Sequence, residues 1–305
     1  MQRVVERVGP WSSHNVYLGH GVHTISGQPH TANYKLRNVM QVASDLLGGR
    51  FEGLRVLDLA CEEGLFGIEF ARRGAEVLGV EGREVHVERG RFAKEALGLD
   101  NCEFVQGDVR ELRPESHGTF DVVLCLGILY HFDAPDAMEF IYRLRELTTR
   151  FMILQSRIAL KPKKQASFRG VTYSGTPVFE HPVKASNEQR IGRLRASLDN
   201  VEAFRLTKPS VFNLLLNAGF TSVLEVQHPR PAFRLADRVL LAAIAGEPVE
   251  LRSAPALNDA PRAPWPEREK RRFDGRLSWR GQLKRRLNAL GVPIRRYTWW
   301  RRPEQ

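Results

Sequence analysis

The chain of 305 residues is 42% hydrophobic and carries a formal net charge of +11 at pH 7. This length and apolar content suit one large domain with an appendage. The first residues, MQRVVERVGPW, are charged where a signal peptide needs an apolar run, and no stretch approaches the ~20 apolar residues of a membrane span. We therefore expect a cytoplasmic protein without a transmembrane segment.

Three cysteines, Cys61, Cys102 and Cys125, are odd in number and form no CxxC pair. This pattern is typical of a reducing compartment and predicts neither a disulfide framework nor a metal site. We expect Cys61 and Cys125 to be small buried hydrophobic residues rather than nucleophiles.

Short apolar runs alternate with helical patterns through the middle of the chain. After a polar, His-containing segment, apolar residues at helical spacing predict a helix over 36–47. Five apolar, mostly β-branched runs follow, separated by helical patterns near 66–73, 86–97 and 135–147: RVLDLA, AEVLGVE, CEFVQGD, FDVVLCLG and RFMILQS. This alternation predicts an α/β fold, a doubly wound parallel sheet with helices on both faces.

The alternation stops at residues 158–206, which are rich in Gly, Pro and charge and predict an insertion. A helix over SVFNLLLNAGF follows, and Gly219 suits its end. SVLEVQ and DRVLLAAIAG flank a Pro-rich turn, so we expect them to pair antiparallel at the sheet edge. From about residue 247 the composition turns to Pro, Ala and charge, which predicts a linker. The expected parts are a cap segment at 1–35, a core domain at 36–246 and a linker with a basic tail at 247–305.

The positive charge is concentrated in that tail. Residues 261–305 hold 14 Lys and Arg against 4 Asp and Glu, so the first 260 residues are close to neutral. LSWRGQLKRRLNALG places leucines on one helical stripe, and Trp299 and Trp300 follow between arginines. Such a pattern suits an anionic membrane surface, with a location peripheral to the membrane, or RNA. A solvated arm, or a helix packed on the domain, is the alternative.

The first apolar run, RVLDLA, leads through the turn CEEG into a helix. In a doubly wound sheet, ligands bind beyond the carboxyl ends of the strands, and this turn is central. A dinucleotide site needs glycines there and a P-loop needs GK[ST], whereas Glu62 and Glu63 precede Gly64. Two carboxylates would repel a pyrophosphate. The turn therefore predicts a ligand that is not polyanionic, and positive charge on the ligand would explain the acids.

Two further acids end the next two runs. Glu81 lies 23 residues after Asp58, close to the ~20-residue distance at which an acid meets ribose hydroxyls. Asp108, in FVQGDVREL, could accept from an adenine amino group or serve as a turn residue. S-adenosylmethionine suits this pattern, because it has an adenosine, no phosphate, and cationic sulfonium and ammonium groups.

At these positions the sequence resembles the class I methyltransferase family, over roughly residues 36–246. VLDLACEEG is similar to the family's first motif, more commonly VLDLGCGxG, with Ala60 and Glu62 in place of glycines; GVEG, QGDV and FDVVLCLGILYHFDAP are similar to the next strand ends. The resemblance implies a Rossmann-like methyltransferase fold: a mostly parallel seven-stranded sheet with an N-terminal helical cap and a basic C-terminal tail. It also implies S-adenosylmethionine as cofactor. The implied contacts are Asp58, Ala60, Gly64, Glu81, Gly82, Asp108, Val109 and Leu126.

His131, in ILYHFDAP, follows the fourth strand, on the side where the methyl group would lie. It could take a proton from an acceptor hydroxyl, or only fix the loop by bonding a carbonyl. The cap segment and the insertion should cover the acceptor. Their polar and aromatic residues, which suit either a pocket or ordinary loop packing, are Trp11, His14, Tyr17, His30, Tyr173, His181 and the neighbouring Lys208.

We expect methyl transfer to an oxygen, or as a second choice a nitrogen, of a small molecule or glycan, because the near-neutral body does not favour an RNA duplex. LGILYH and WSSHNVYLGHGVHT also resemble, loosely, the tRNA wobble-uridine carboxymethyltransferase family. A tRNA-modifying methyl or carboxymethyl transferase is therefore the alternative. A third possibility is a non-catalytic protein that binds S-adenosylmethionine or a partner.

Overall fold

The computed structural model describes residues 5–7, 9–25, 31–227 and 236–267. The predicted tail helix, with Trp299 and Trp300, lies outside these residues, as does His30. At the N-terminus, residues 5–7 are helical and a short hairpin follows, made of β1 (Tyr17–Gly19) and β2 (Val22–His23). Helix α1 (Thr31–Leu47) begins five residues earlier than the apolar spacing predicts.

A seven-stranded sheet forms the centre of the described part of the chain. Its parallel strands are β3 (Arg55–Leu59), β4 (Glu76–Glu81), β5 (Cys102–Gln106), β6 (Phe120–Leu126) and β7 (Thr148–Arg157). Two more strands, β11 (Ser222–Glu225) and β12 (Arg238–Ile244), complete the order β11-β12-β7-β6-β3-β4-β5. Because β12 runs antiparallel to both β7 and β11, the doubly wound, mostly parallel sheet with an antiparallel edge is confirmed.

Helices connect these strands, and all but the short helix between β5 and β6 lie at the predicted places. They are α2 (Leu65–Ala71), α3 (Glu84–Ala96), α4 (Pro114–His117), α5 (Asp136–Leu147), and, after the insertion, α7 (Lys208–Asn217). Gly219 follows α7 with φ of +100°, as its predicted place at the helix end requires. Cys61, Cys102 and Cys125 are free and buried, which confirms the predicted burial of Cys61 and Cys125. Among the described residues, no helix is both long and apolar enough to cross a bilayer.

The insertion is more regular than its composition predicts. Its strands β8 (Lys164–Phe168), β9 (Val171–Phe179) and β10 (Glu202–Leu206) form an antiparallel sheet in the order β10-β9-β8, and a helix, α6 (Asn187–Gly192), precedes β10. Gly175 and Pro177 make β9 look like a turn in sequence. Gly175 instead lies against β10, where an added Cβ would be 2.5 Å from Phe204. The glycine therefore permits close packing rather than a turn.

Residues 247–267 are not a free linker. The compact unit extends through Glu267, about 20 residues beyond the predicted boundary. The ring of Trp265 packs on Phe212 of α7 at 4.3 Å between centroids. The carboxylate of Glu267 accepts hydrogen bonds from the hydroxyls of Thr207 and Ser210 at 2.6–2.9 Å. The Pro-rich composition gave no sign of these contacts, because they pair residues more than 50 positions apart.

The buried carboxylate of Glu63 attaches the N-terminal segment to the first turn of the sheet. Its oxygens accept hydrogen bonds from the backbone N–H groups of Ser12, Ser13 and His14 at 2.7–3.1 Å. The guanidinium of Arg89 on α3 donates to the same carboxylate at 2.9 Å. Burial raises the pKa of Glu63, but the nearby ring of His86, 3.7 Å away, and the hydrogen bonds from the N-terminal segment outweigh it and lower the pKa to about 2. Glu63 is thus an ionised structural anchor.

Replacing this anchor should destabilise the protein in a pH-dependent way. We expect Glu63→Gln to lower the free energy of unfolding at pH 7 by roughly 3 kcal/mol, the value of a pKa lowered from 4.5 to about 2. Because the folded-state pKa is depressed, this contribution is complete above pH ~4.5 and disappears as the pH falls through about 2. Urea unfolding of both proteins between pH 3 and 7 measures the difference.

Glu69→Gln is the matched control, since Glu69 forms a partly exposed pair with Arg73 on α2. It should change the unfolding free energy by less than about 1 kcal/mol. Equal unfolding curves for Glu63→Gln and Glu69→Gln would contradict the role assigned to Glu63.

Candidate active site

A cavity of about 390 Å³ lies beyond the carboxyl ends of β3, β4, β6 and β7. Eight of the nine residues predicted for the site line it: Asp58, Ala60, Glu81, Gly82, Asp108, Val109, Leu126 and His131. Gly64 is the exception. It begins α2 with φ of +80° and faces Phe104, to which an added Cβ would come within 2.4 Å. Gly64 is therefore placed to shape the turn rather than to face the cavity.

The first turn keeps a left-handed backbone although two family glycines are replaced. Ala60 has φ of +49° and Glu62 has φ of +47°. Each of these conformations costs a residue with a Cβ about 1–2 kcal/mol. The N–H of Glu62 donates to Oε2 of Glu81 at 3.1 Å, which helps to hold the strained path. The substitutions thus leave the turn's left-handed backbone in place.

Asp58 is the next-to-last residue of β3, and only 1% of its surface is exposed. Its Oδ2 accepts a hydrogen bond from the N–H of Gly67 at 2.9 Å. Burial raises the pKa of Asp58 to about 7, although the Gly67 N–H and the charge of Lys35 act in the opposite direction. A cationic group of a ligand would favour the ionised form of this acid.

Glu81 occupies the end of β4, where the sequence predicts a ribose acceptor. Its two oxygens accept from the backbone N–H groups of Arg83, at 2.9 Å, and Glu62, at 3.1 Å. Burial raises its pKa above the ordinary value, and these two hydrogen bonds oppose the rise. A carboxylate oxygen has more than one lone pair, so both oxygens retain capacity to accept from ribose hydroxyls.

Asp108 lines the cavity, but its carboxylate already has a partner. It caps the short 3₁₀ turn Val109–Glu111 through the N–H of Arg110 and receives the guanidinium of the same residue at 2.7–3.0 Å. Burial raises the pKa of Asp108, but the bonds from Arg110 outweigh it and the pKa is lowered. The structure thus shows Asp108 as a turn-capping residue, and its contact with adenine stays a prediction.

The two acids of the turn differ in role. Glu62 pairs with Nε2 of His14 at 3.3 Å, and Nδ1 of His14 accepts from the N–H of Leu65 at 3.3 Å. Glu62 and His14 both line the cavity. Glu63, by contrast, holds the N-terminal segment. The explanation of both acids by a cationic ligand is therefore wrong for Glu63, whose charge is satisfied within the protein.

His131 forms a pair that the sequence did not reveal. Its Nδ1 lies 2.7 Å from Oε2 of Glu180, a buried acid that precedes His181 in the insertion. Within the described part of the chain, Nε2 of His131 has no protein partner, and the ring is 19% exposed at the cavity. Burial raises the pKa of Glu180, but the hydrogen bond from His131 outweighs it and lowers the pKa. The ionised acid orients the imidazole and leaves Nε2 available to a ligand.

Arg83 holds the insertion over the cavity. Its guanidinium donates to the carbonyl oxygens of Ile191, Arg193 and Ala196 at 3.0 Å. Residues 194–200 consequently line the cavity. An added Cβ at Gly82 would be 2.1 Å from the side chain of Leu198, so the cover packs closely on this strand end.

The other polar and aromatic residues that the sequence singled out in the cap and insertion differ in their positions. Of those that the sequence singled out and the structure describes, His14 lines the cavity. The others pack elsewhere: Trp11 on Phe92, Tyr17 on His23, Tyr173 in the core, His181 on the carbonyl of Ser197 and Lys208 on Glu225.

The donors and acceptors of the cavity fit S-adenosylmethionine. Asp58 and Glu81 supply carboxylates that suit its cationic and hydroxyl groups, and the first turn lacks the glycine-rich cradle that a pyrophosphate needs. Lys35 adds a cation beside Asp58, where it donates to the carbonyl of Leu126 at 3.2 Å. The sequence gave no signal for Lys35, which lies one residue before the predicted helix, because a lysine side chain is ordinarily solvated.

The chain is similar to known methyltransferases. A family model described as a methyltransferase domain matches residues 50–193. The ubiquinone biosynthesis O-methyltransferase of Acinetobacter baumannii strain AYE is 36% identical over 91 residues, which cover 30% of this chain and 38% of that protein. The 23S rRNA (uracil(1939)-C(5))-methyltransferase of Alkalilimnicola ehrlichii is 45% identical over 91 residues, 29% of this chain and 20% of that protein. This chain thus spans well under half the length of these curated relatives.

A solved structure extends the similarity beyond the matched segment. The N-terminal domain of EvdMO1, crystallised in the presence of SAH and D-fucose, superimposes with a TM-score of 0.63 at 25% identity. The superposition covers 80% of this chain and 95% of that domain. Together with the strand order, these similarities show that the chain contains a class I S-adenosylmethionine-dependent methyltransferase domain.

Proposed function

We propose that the protein transfers a methyl group from S-adenosylmethionine to a hydroxyl oxygen, or as a second choice a nitrogen, of a small molecule or glycan. The observation that carries this proposal is the 2.7 Å contact between Nδ1 of His131 and Glu180 at the cavity wall. A histidine oriented by an acid is suited to remove a proton from a hydroxyl nucleophile.

The residues of this chain have separable tasks in that reaction. When bound, the cofactor supplies an electrophilic methyl group on a sulfonium. Asp58 and Glu81 hold its cationic and ribose groups, and residues 194–200 cover the cavity and exclude water. His131 accepts the hydroxyl proton of the acceptor at Nε2, while Glu180 holds Nδ1 and stabilises the imidazolium that results. Positioning of the two substrates contributes a further part of the rate.

Two similarities support an oxygen of a small molecule as the acceptor. The relatives from Acinetobacter are O-methyltransferases, and the EvdMO1 domain was crystallised with a sugar, D-fucose. The near-neutral charge of the first 260 residues agrees with such an acceptor. RNA modification stays the alternative, because a similar segment occurs in an rRNA methyltransferase and residues 268–305, which carry most of the basic tail, lie outside the described residues.

The ribose role of Glu81 can be tested by binding. Glu81→Gln should weaken binding of S-adenosylhomocysteine about tenfold or more, because a hydrogen bond to a charged group is worth about 1.5–3 kcal/mol. Isothermal titration calorimetry at pH 8 measures the affinity. Glu84→Gln, three residues away on the exposed start of α3, is the matched control and should bind as the wild type does. Equal affinities of all three folded proteins would remove Glu81 from the cofactor site.

The raised pKa of Asp58 predicts a pH dependence of cofactor binding. Since its pKa is about 7, the carboxyl group is largely neutral at pH 5.5 and ionised at pH 8.5. Affinity for S-adenosylhomocysteine, whose amino group is a cation, should therefore rise with pH through about 7 and then level off. In Asp58→Asn this rise should be absent, while the amide oxygen still accepts from Gly67. A rise of equal size in both proteins would assign the titration to another group.

The pair of His131 and Glu180 predicts a loss of turnover rather than of cofactor binding. His131→Asn should lower kcat by ~10²–10⁴-fold, the usual contribution of a general base, with cofactor affinity nearly intact. The limb of the pH–rate profile that the imidazole contributes should also vanish. In Glu180→Gln kcat should also fall, because the neutral amide no longer stabilises the imidazolium that forms when His131 accepts the proton.

Glu188→Gln, an exposed acid in the same insertion, serves as the control and should leave rate and profile unchanged. If His131 only anchors its loop, the loss in His131→Asn should be smaller, cofactor affinity should fall with it, and the pH profile should match that of the wild type.

A further inference from the structure

Two arginines stand opposite each other at the edge of the cavity. Arg157 ends β7 and Arg238 begins β12, and the two are direct partners in the antiparallel register. Both line the cavity. Like charges directly opposite in an antiparallel pair destabilise it, so this arrangement costs folding stability unless an opposite charge is near.

The described residues supply little negative charge to this pair. The one acid that they place in an ion pair with either arginine is Asp237, 3.9 Å from Nη1 of Arg157, a distance too long for a hydrogen bond. The Nε atoms of both arginines are buried and have no hydrogen-bond partner in the described part of the chain. Buried donors are nearly always satisfied, so an acceptor that the described residues do not supply is expected here.

Neighbouring donors face the same part of the cavity. Gln155 is two residues before Arg157 on β7, hence on the same face of the strand, and lines the cavity as well. The guanidinium of Arg157 lies 5.7 Å from the ring centre of Tyr130. Burial raises the pKa of Tyr130, and the charges of Arg157 and Arg238 oppose that rise, which places both cations near the phenol. Burial also lowers the pKa of Lys35, and Arg238 lowers it further.

Charge is therefore divided along the cavity. The acids Asp58, Glu62 and Glu81 lie at the ends of β3 and β4, whereas the arginine pair lies at β7 and β12. The other arginines that line the cavity already bind protein atoms: Arg83 binds carbonyls of the insertion, Arg110 binds Asp108 and Asp199, and Arg195 binds the carbonyl of Ser12.

We propose that Arg157 and Arg238 bind an anionic group, a carboxylate or a phosphate, carried by the methyl acceptor. This assignment rests on the proposed function, because it takes the ligand of this end of the cavity to be the acceptor. Guanidinium groups form strong, directional hydrogen bonds with both anions. Tyr130 lies between the two sites, with its ring centre 4.3 Å from that of His131 and 5.7 Å from the guanidinium of Arg157.

That spacing defines the class of acceptor. One small molecule could present a hydroxyl to Nε2 of His131 and an acidic group to the arginine pair. A sugar acid, a sugar phosphate or a hydroxylated carboxylic acid has this chemistry. A neutral sugar would leave the two buried Nε donors without an acceptor, so it should be the weaker substrate.

A titration with simple anions tests the site without relying on turnover. Inorganic phosphate and acetate are titrated separately into the protein saturated with S-adenosylhomocysteine, at constant ionic strength set by sodium chloride, and the thermal midpoint is recorded. At least one of the two anions should raise the Tm of the wild type above that in chloride alone. In Arg157→Gln and Arg238→Gln the apparent affinity should fall about tenfold or more. Each variant in the absence of anion should be as stable as the wild type or more stable, because the opposed charges are relieved.

Arg150→Gln is the matched control, an exposed arginine at the other end of β7 that pairs with Asp121. It should respond to the anions as the wild type does. No effect of either anion beyond chloride, or equal effects on the wild type and on both cavity variants, would overturn the proposal.

A labelling experiment then identifies the anion. Cell extract is incubated with S-adenosylmethionine labelled at the methyl group, and small products are separated by anion exchange. The labelled product should be retained, and a phosphatase should release it if the group is a phosphate ester but not if it is a carboxylate. Label only in the neutral fraction would overturn the anionic acceptor. Label in no fraction would count against the proposed transfer itself, while the anion titration would still decide the arginine site.

Discussion

The buried carboxylate of Glu63 is the contact on which the cofactor end of the cavity depends. Its two oxygens receive the backbone N–H groups of residues 12–14 and the guanidinium of Arg89. A buried charge stripped of such partners would cost several kcal/mol, so the N-terminal segment, the first turn and α3 are fixed relative to one another. This places His14 against the turn, where its two ring nitrogens meet Leu65 and Glu62. Glu63 therefore positions part of the cavity wall, although its own side chain does not line the cavity.

The first turn can keep a strained backbone because neighbouring residues hold its conformation. Ala60 and Glu62 adopt positive φ without being glycines, and the carboxylate of Glu81 accepts the N–H of Glu62. Below the turn, Phe104 fills the space left by Gly64 and Gly79, where an added Cβ would approach its ring to 2.4 Å. The glycines that matter here are those that admit an aromatic ring, whereas the two that the family motif would place in the turn can be replaced at the cost of local strain.

The cofactor edge of the sheet could be predicted from sequence because its signals are local. Buried strands that end in acids, as at Asp58 and Glu81, specify both the fold and the side on which a ligand binds. The hydrogen-bond partners of each acid could not be predicted from local sequence. Glu63 and Asp108 are satisfied by protein donors, from a segment about 50 residues away in one case and from Arg110 in the other, and sequence alone gives no means to separate such acids from those that face a ligand.

The contacts at the proposed acceptor end of the cavity could not be predicted from sequence for a different reason. Glu180 reaches His131 across 49 residues, and it does so from an insertion whose strands are obscured by Gly175 and Pro177. Arg157 and Arg238 become neighbours through the antiparallel register of β7 and β12, about 80 positions apart. Neither contact produces a recognisable pattern in the amino-acid sequence.

This separation has a physical consequence for the enzyme. The acids proposed to bind the cofactor lie at the ends of β3 and β4, while the groups proposed to bind the acceptor come from β7, β12, the insertion and the turn after β6 that carries His131. Changes at Arg238 or Glu180 alter no contact of the first turn, whose donors and acceptors are satisfied among themselves. The acceptor that the cavity selects can therefore be set by a few side chains on the second group of elements, with the machinery that binds the cofactor left intact.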